Sequence, residues 1–439
     1  MHFTSRRMGW LVAALLAFEA AAFAQDSTAW SLQKCLDTAV RNSPRLQASR
    51  SVATGAQAAA KESGAARLPS LGVSGAYSYT NKVQEINVPL NLPIPGFVPP
   101  HIAFGNGNVY DLAATVRAPI FSGGSLLATE RANAAAAQAT RYDLATDSLG
   151  LIYNVRRAYY NALGAESRLS AARNSTARIQ RNLQTIIDAQ KVGANSEENR
   201  ITALSRLRQT EELVISSENQ ARAARLLLGS LVLQPGVEIA PAGELDSALI
   251  DTTVLSALPY ETRTEVSSAN ARIAQSSHLA RAASGSLLPS VSGNAAYHYA
   301  KPGLDVTANQ WMDYYTVGVT ASWTLWDWNA RGYRVQQARA NRSALESRKQ
   351  DLLTSLQNRY QTNSEALRAA RAVRDKAAEH ADLERQRLAM VEGRLKLGAA
   401  TETEFLDAQD DLTTAETDLA ATIAALRMAE ADVLNAAGY

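Results

Sequence analysis

Five histidines and one cysteine make up the strong metal-binding and thiol capacity of this chain. His2, His101, His278, His298 and His380 fall at no metal-ligand spacing, and Cys35 alone completes neither a zinc site nor an internal disulfide. No Gly-x-Ser-x-Gly elbow and no phosphate-cradling glycine loop precedes a helix, so no activated serine or nucleotide site is encoded. No residue is assigned a catalytic, cofactor or metal role, and the sequence reads as a non-enzyme. Cys35 follows Leu32-Gln33-Lys34, where a lipidation site needs a small residue, and it reads as a small buried apolar side chain. One local constellation does carry chemistry. In Thr401-Glu402-Thr403-Glu404 the Thr401 hydroxyl can accept from the Glu404 backbone while the Glu404 carboxylate reaches back to the cap, which is a capping box at a helix start.

The element that must position this box is a turn between two helices, and the turn occurs twice. Lys396-Leu397-Gly398-Ala399-Ala400-Thr401 repeats Lys191-Val192-Gly193-Ala194-Asn195-Ser196. In each, the glycine (Gly193, Gly398) suits a left-handed cap, and Ser196 or Thr401 restarts a helix. Ser196-Glu197-Glu198-Asn199 is the weaker version, because Asn199 supplies no carboxylate. Other landmarks recur in the same order. Arg67-Leu68-Pro69-Ser70 returns as Leu287-Leu288-Pro289-Ser290, and Ile120-Phe121 as Leu325-Trp326. The offset is 220 residues at the prolines and 205 at the later landmarks, so the extra length of the first copy lies between Pro69 and Phe121. Such self-similarity marks two copies of one structural unit.

Each unit reads as helix, strand, loop, strand, long helix, tight turn, helix. Long helices are expected over about 125–191 and 331–397, runs free of proline and rich in alanine. At 1.5 Å per residue each spans about 100 Å, a length typical of coiled coils rather than compact globules. Shorter helices are expected over about Ser31–Arg67, 196–228, Thr262–Leu287 and 401–435. Strands are expected over about 71–80, 111–121, 290–299 and 314–325, where apolar residues alternate with small or polar ones. Their length suits a membrane-crossing strand. Tyr77, Tyr79, Tyr297, Tyr299, Trp311, Trp323 and Trp326 gather near strand ends, as in the aromatic girdles of outer-membrane barrels. The loop Asn81–Tyr110 holds Pro89, Pro93, Pro95, Pro99 and Pro100, which cannot join a ladder and place it outside the barrel, on the extracellular side.

The ends and the balance of charge narrow the class. Arg6 and Arg7, the apolar stretch Trp10 to Phe18 and Ala22-Phe23-Ala24 read as a secretory leader over 1–24. The formal net charge is +2, and nothing in it suggests a nucleic-acid partner. The organisation is thus leader 1–24, first repeat 25–230, linker 231–260 and second repeat 261–439. Four strands cannot close a membrane barrel, and open edges in lipid are prohibitively costly. The chain is therefore expected to pool strands with copies of itself. Small polar residues on the second sheet face (Gly72, Ser74, Ser78, Thr320, Ser322) favour three copies around an open lumen.

The doubled layout, with Phe121-Ser122-Gly123-Gly124 entering one long helix and Leu325-Trp326-Asp327-Trp328 the other, resembles the TolC-like outer-membrane efflux proteins. The resemblance covers essentially the whole mature chain. It implies a mainly α fold with a membrane β portion: a homotrimer whose twelve-stranded β-barrel continues into a long periplasmic α-helical barrel. An equatorial collar would form from the linker and chain ends. It also implies a Gram-negative outer membrane, with lipid around the barrel and a periplasmic adaptor and inner-membrane pump docking at the hairpin tips, where Gly193, Ser196, Gly398 and Thr401 lie. At the second turn it places Glu404 and Asp407 toward the constricted pore, as two acidic rings at the periplasmic gate. The alternative is that Glu404 only caps its helix and Asp407 is solvated. The chain departs from the best-known member, which has a basic residue at the position of Ala400 and a tyrosine at that of Leu395. With Asn199 in place of a partner acid, that latch is missing, and Arg394, Lys396 and Lys191 are the nearby substitutes.

These readings converge on an exit duct for small exported compounds. A duct for a type I protein-secretion system is the alternative within transport. A structural periplasmic coiled coil is the alternative outside it, and the lipid-facing alternation of the strands argues against it.

Overall fold

The computed structural model describes residues 29–83, 85–87, 95, 101–103, 107–246, 260–305 and 309–439. The leader, Pro89, Pro93, Pro99 and Pro100 of the long loop, and the linker from 247 onward lie outside the described residues up to 259. In chain order the elements are α1 (Leu32–Asn42), α2 (Pro44–Ala65), β1 (Ser70–Tyr79), β2 (Glu85–Asn87), β3 (His101–Ala103), β4 (Asn108–Phe121), α3 (Ser125–Lys191) and α4 (Glu197–Val232). A 3-10 turn (Tyr260–Thr262) precedes α5 (Thr264–Gly285), β5 (Ser290–Lys301), β6 (Met312–Ser322), α6 (Ala330–Lys396) and α7 (Glu402–Ala437). The chain divides into two compact units that both draw on both copies. The sheet lies in the unit containing 45–147 and 258–357, and the helical hairpin turns lie in the other.

The single helix expected over Ser31–Arg67 is two. Pro44 has no N–H to continue α1, and its ring pushes Ser43 into extended backbone (φ −62, ψ 117). Pro44 then opens α2, where a missing N–H costs nothing.

The four long strands form one antiparallel sheet in the order β1-β4-β5-β6. The two copies meet where β4 pairs with β5, with Leu112 opposite Tyr299 and Ala114 opposite Tyr297. Register puts Leu71, Val73, Tyr77, Tyr315, Val317 and Val319 on one face, and these six are 61–81% exposed. The other face carries Ser74, Ser78, Thr115, Asn294, His298 and Thr320. There His298 Nδ1 lies 3.0 Å from Asp111, and its ring stacks on Tyr314 at 4.9 Å. The register shifts between Pro119 and Phe121, where proline removes a ladder donor.

Two strand expectations are corrected. β6 ends at Ser322 rather than near 325, because its partner β5 begins at Ser290, opposite Ser322. Trp323 instead donates its ring N–H to the Leu287 carbonyl at 3.2 Å. The ends of the long loop also pair with each other, as β2 and β3, in a two-stranded sheet separate from the main one.

Both strand-to-helix turns use two consecutive left-handed residues: Gly123 (φ 61) and Gly124 (φ 79) in the first copy, Trp328 (φ 54) and Asn329 (φ 64) in the second. In the second copy Arg331 staples the turn, bonding Asp327 at 2.6 Å, the Ser286 carbonyl at 3.0 Å and the Thr324 carbonyl.

In the other unit the main core joins Cys35 on α1 to Val155, Tyr159 and Leu163 on α3, Leu228 and Val232 on α4, and Ile239 of the linker. The Tyr159 hydroxyl donates to the Trp30 and Ala242 carbonyls, and Trp30 bridges to Pro241, so the start of the described chain is tied to the linker. Burial pushes the Cys35 thiol up to about 11, as befits a packed apolar side chain.

Candidate functional site: the paired hairpin turns

The two hairpin turns are built alike. Gly193 adopts φ 74 and Gly398 φ 69. In the first turn the Gly193 N–H donates to Gln190 at 3.0 Å and the Ala194 N–H to Ala189 at 2.9 Å. In the second, Gly398 donates to Leu395 at 3.0 Å and Ala399 to Arg394 at 2.8 Å. Each is the paired 5→2 and 6→1 bonding that satisfies the last carbonyls of a helix. The side chain just before each glycine, Val192 or Leu397, is apolar and about four-fifths exposed (79% and 84%).

The restarts differ in charge. The Ser196 hydroxyl accepts from the Asn199 N–H at 3.2 Å, and the Asn195 side chain takes both the Ser196 N–H (2.8 Å) and the Asn199 amide (2.7 Å). Thr401 accepts from the Glu404 N–H at 3.1 Å, and the Glu404 carboxylate accepts from the Thr401 N–H at 3.4 Å. Glu404 also lies 3.5 Å from Arg394, whose guanidinium donates to the Ala399 carbonyl at 2.9 Å. Of the three substitutes expected for the missing latch, only Arg394 reaches across its turn. Lys396 pairs with Glu392 and Lys191 with Asp188 on their own helices.

Asp407 is engaged by a residue that sequence reading missed. Arg206 on α4 bonds Asp407 at 3.1 Å and Asp410 at 2.7 Å on α7, and so ties the first hairpin to the second. Arg178 on α3 lies 3.1 Å from Glu416, and Asn182 bonds Glu402 at 3.3 Å, so α3 also reaches α7. Within the second hairpin, Arg387 bonds Asp411 at 2.5 Å. Small apolar clusters pin these contacts: Ile186, Ala203 and Leu406 between the hairpins, and Leu388, Val391, Phe405 and Leu412 within the second. The duplication marks the position as one where the copies differ in charge, without naming the partners. Arg206 stands 205 residues before Asp411, beside Thr202 and Ser205, whose counterparts are Asp407 and Asp410.

The protonation states follow from these contacts. Arg200 and Gln190 bonds hold Glu197 at about 2, well below the usual carboxylate range. Burial raises Asp410 above its ordinary value, opposed by Arg206 and reinforced by Asp407 and Asp411.

The aromatics expected at a membrane interface form two groups at opposite ends of the sheet. Tyr77 packs on Tyr110 (5.0 Å), Tyr110 on Trp311 (5.9 Å) and Trp311 on Tyr299 (4.9 Å) at the loop end. Tyr79 and Tyr297 are exposed near them on the same sheet face. At the helix end Trp326 meets Trp328 edge-on at 5.6 Å, with Trp323 exposed nearby in sequence. Among the described residues no helix is long and apolar enough to cross a membrane.

The family model for outer membrane efflux proteins matches residues 35–232 and 260–439. Solved structures share the fold. The MtrE outer membrane channel of Neisseria gonorrhoeae, in its open state, aligns with a TM-score of 0.77 at 17% identity, over 93% of this chain and 88% of that one. VceC, an outer membrane protein of Vibrio cholerae, aligns at 0.74 and 16%, over 93% and 96%. The CmeC outer membrane channel of Campylobacter jejuni aligns at 0.72 and 18%, over 93% and 85%. Searched by sequence, no curated protein matches the chain.

Proposed function

This chain belongs to the outer membrane efflux protein family, and from that premise we propose that it is the exit duct of a tripartite efflux system, passively conducting small exported compounds out of the cell. The observation that carries this reading is the four-stranded sheet, with one face apolar and exposed and with β1 and β6 unpaired on their outer sides among the described residues. Free ladder groups cannot face hydrocarbon, where each unsatisfied one costs several kcal/mol. Three copies joined β6 to β1 would remove every edge and give twelve strands around a lumen lined by the small polar face. Leu68, Leu71 and Trp326, exposed here, would then meet lipid or the neighbouring copy.

The hairpin turns would form the periplasmic mouth, where an adaptor and an inner-membrane pump dock. Arg206, held to Asp407 and Asp410, is a latch between the two hairpins, and Arg394, held near Glu404, braces the turn of the second. Glu404 serves both as cap and as latch partner. Threefold repetition of Glu404 and Asp407 would set two carboxylate rings in the mouth, attractive to cations.

The test is conductance in planar bilayers. The wild type should conduct weakly as a trimer, and Arg206→Gln should raise its open probability several-fold by releasing α4 from α7. Glu404→Ala with Asp407→Ala should weaken block by multivalent cations. A chain that stays monomeric and soluble without detergent would sink the duct. Unchanged conductance in Arg206→Gln would sink the latch alone.

A further inference from the structure

We propose that the turn between β6 and α6 is a binding site for anionic phospholipid headgroups, which the first copy's turn lacks. The proposal rests on the reading of this chain as an outer-membrane barrel. It starts from a backbone outlier. Trp328 holds φ 54, a left-handed conformation that is sterically costly for a residue with a side chain and that a bulky residue rarely adopts. The first copy fills the equivalent position with Gly123 at φ 61, where the conformation is free of that cost. The Trp328 side chain recovers little inside the chain. It is 82% exposed, and its one aromatic neighbour among the described residues, Trp326, is 73% exposed. A costly, outward-facing tryptophan implies that its ring is used outside the chain.

The surroundings say by what. Beyond the end of β6 at Ser322, Trp323 and Leu325 (60% and 74% exposed) keep the odd-numbered apolar alternation of Tyr315, Val317 and Val319, and exposed Trp326 follows, so this end of the sheet extends the surface read as lipid-facing. Cations follow at once on α6. Arg331 is committed to Asp327 and two carbonyls, but Arg334, one turn into the helix and exposed beside exposed Tyr333, makes no ion pair among the described residues. Arg339 is exposed a little further along. The first copy carries Thr129 and Ala134 at these two positions. Four residues of helix place Arg334 about 6 Å from the start of α6, within the headgroup layer, whereas Arg339 stands about 13 Å away and beyond it. Tryptophan at the acyl boundary with arginine in the headgroup layer is the chemistry that selects a phosphate bearing net negative charge over a zwitterion.

The experiment reconstitutes the full chain into phosphatidylcholine bilayers containing a minority of phosphatidylglycerol. Bromine is placed on the acyl chains of one lipid or the other, and tryptophan quenching is read. Brominated phosphatidylglycerol should quench several-fold more than its mole fraction predicts, and the excess should fall with salt. Arg334→Gln should cut the enrichment by roughly fivefold, the worth of one interfacial cation. Arg339→Gln should cut it less. Trp328→Gly, which installs the first copy's residue, should fold normally and lose most of the excess quenching. Equal quenching by both lipids in the wild type, or an unchanged preference in Arg334→Gln, overturns the site. If those results come from protein that still inserts and conducts, the duct reading survives them. Failure to insert into either bilayer overturns both.

Discussion

Arg222 and Arg427 stand 205 residues apart, at the same position of the two copies, and both reach for the segment that joins the copies. Arg222 bonds Glu238 at 2.9 Å with its side chain 67% exposed. Arg427 is 3% exposed, bonds both oxygens of Glu430 (2.8 and 2.9 Å) and donates to the Leu245 and Asp246 carbonyls at 3.2 and 2.6 Å. The position and the target are shared, and burial sets the worth. Removing Arg427 leaves a buried carboxylate and a buried carbonyl without their donors. Arg427→Met should therefore cost about 3–5 kcal/mol, read as a large fall in melting temperature in detergent. Arg222→Met should cost at most about 1 kcal/mol. Similar losses would mean that the duplication, not the environment, sets the strength of these contacts.

The strand-to-helix turns sharpen the comparison, because there the first copy should be the sensitive one. A Cβ on Gly123 would lie 2.2 Å from the Gly285 carbonyl oxygen and 2.9 Å from Leu288 Cβ, on backbone already left-handed. Gly123→Ala should cost about 3 kcal/mol, the sum of the left-handed penalty and an overpacked contact. In the second copy the same backbone bears Trp328 in open space. Trp328→Gly relieves about 1–2 kcal/mol of conformational cost and gives up chain entropy and one ring contact of similar size. It should leave stability within about 1 kcal/mol of the wild type. A large loss in Trp328→Gly would show that the indole packs within the protein and is not an outward anchor.

What could be read in advance follows the range of the interactions. The first long helix, Ser125–Lys191, was legible because glycines stand just outside both ends and no proline interrupts it. The strand alternation and both glycine turns are likewise local patterns. The break at Pro44 was present in the sequence, but alanine-rich periodicity on either side masked it. The end of β6 at Ser322 was not local: alternation runs on through Trp323 and Leu325, and only the start of β5 stops the pairing. Strands of three residues, such as Glu85–Asn87, are too short to show a period. Arg206 was hidden for a related reason. Its partners lie about two hundred residues away, and nothing in Leu204-Ser205-Arg206 announces them.

The hairpin helices α4 and α7 differ most subtly at one carboxylate. Asp410 on α7 stands where α4 has Ser205, and it lies between Asp407 and Asp411 in sequence. Burial holds its carboxyl above the ordinary 3.8, and Arg206 offsets only part of that rise. The folded protein therefore binds this proton more tightly than the unfolded chain does. Below 3.8 the group is protonated in both states and exacts no penalty. As pH rises through 3.8 and then through the raised folded value, the unfolded chain ionises first, and the fold loses stability. Above the folded value the loss is complete and constant. Asp410→Asn removes this term. The melting temperature of the wild type minus that of Asp410→Asn should fall as pH rises from about 4 and flatten toward neutrality, while Ser205→Ala should show no such slope. Parallel curves for wild type and Asp410→Asn would mean that Arg206 fully compensates the burial, and the second hairpin would then be as indifferent to acid here as the first.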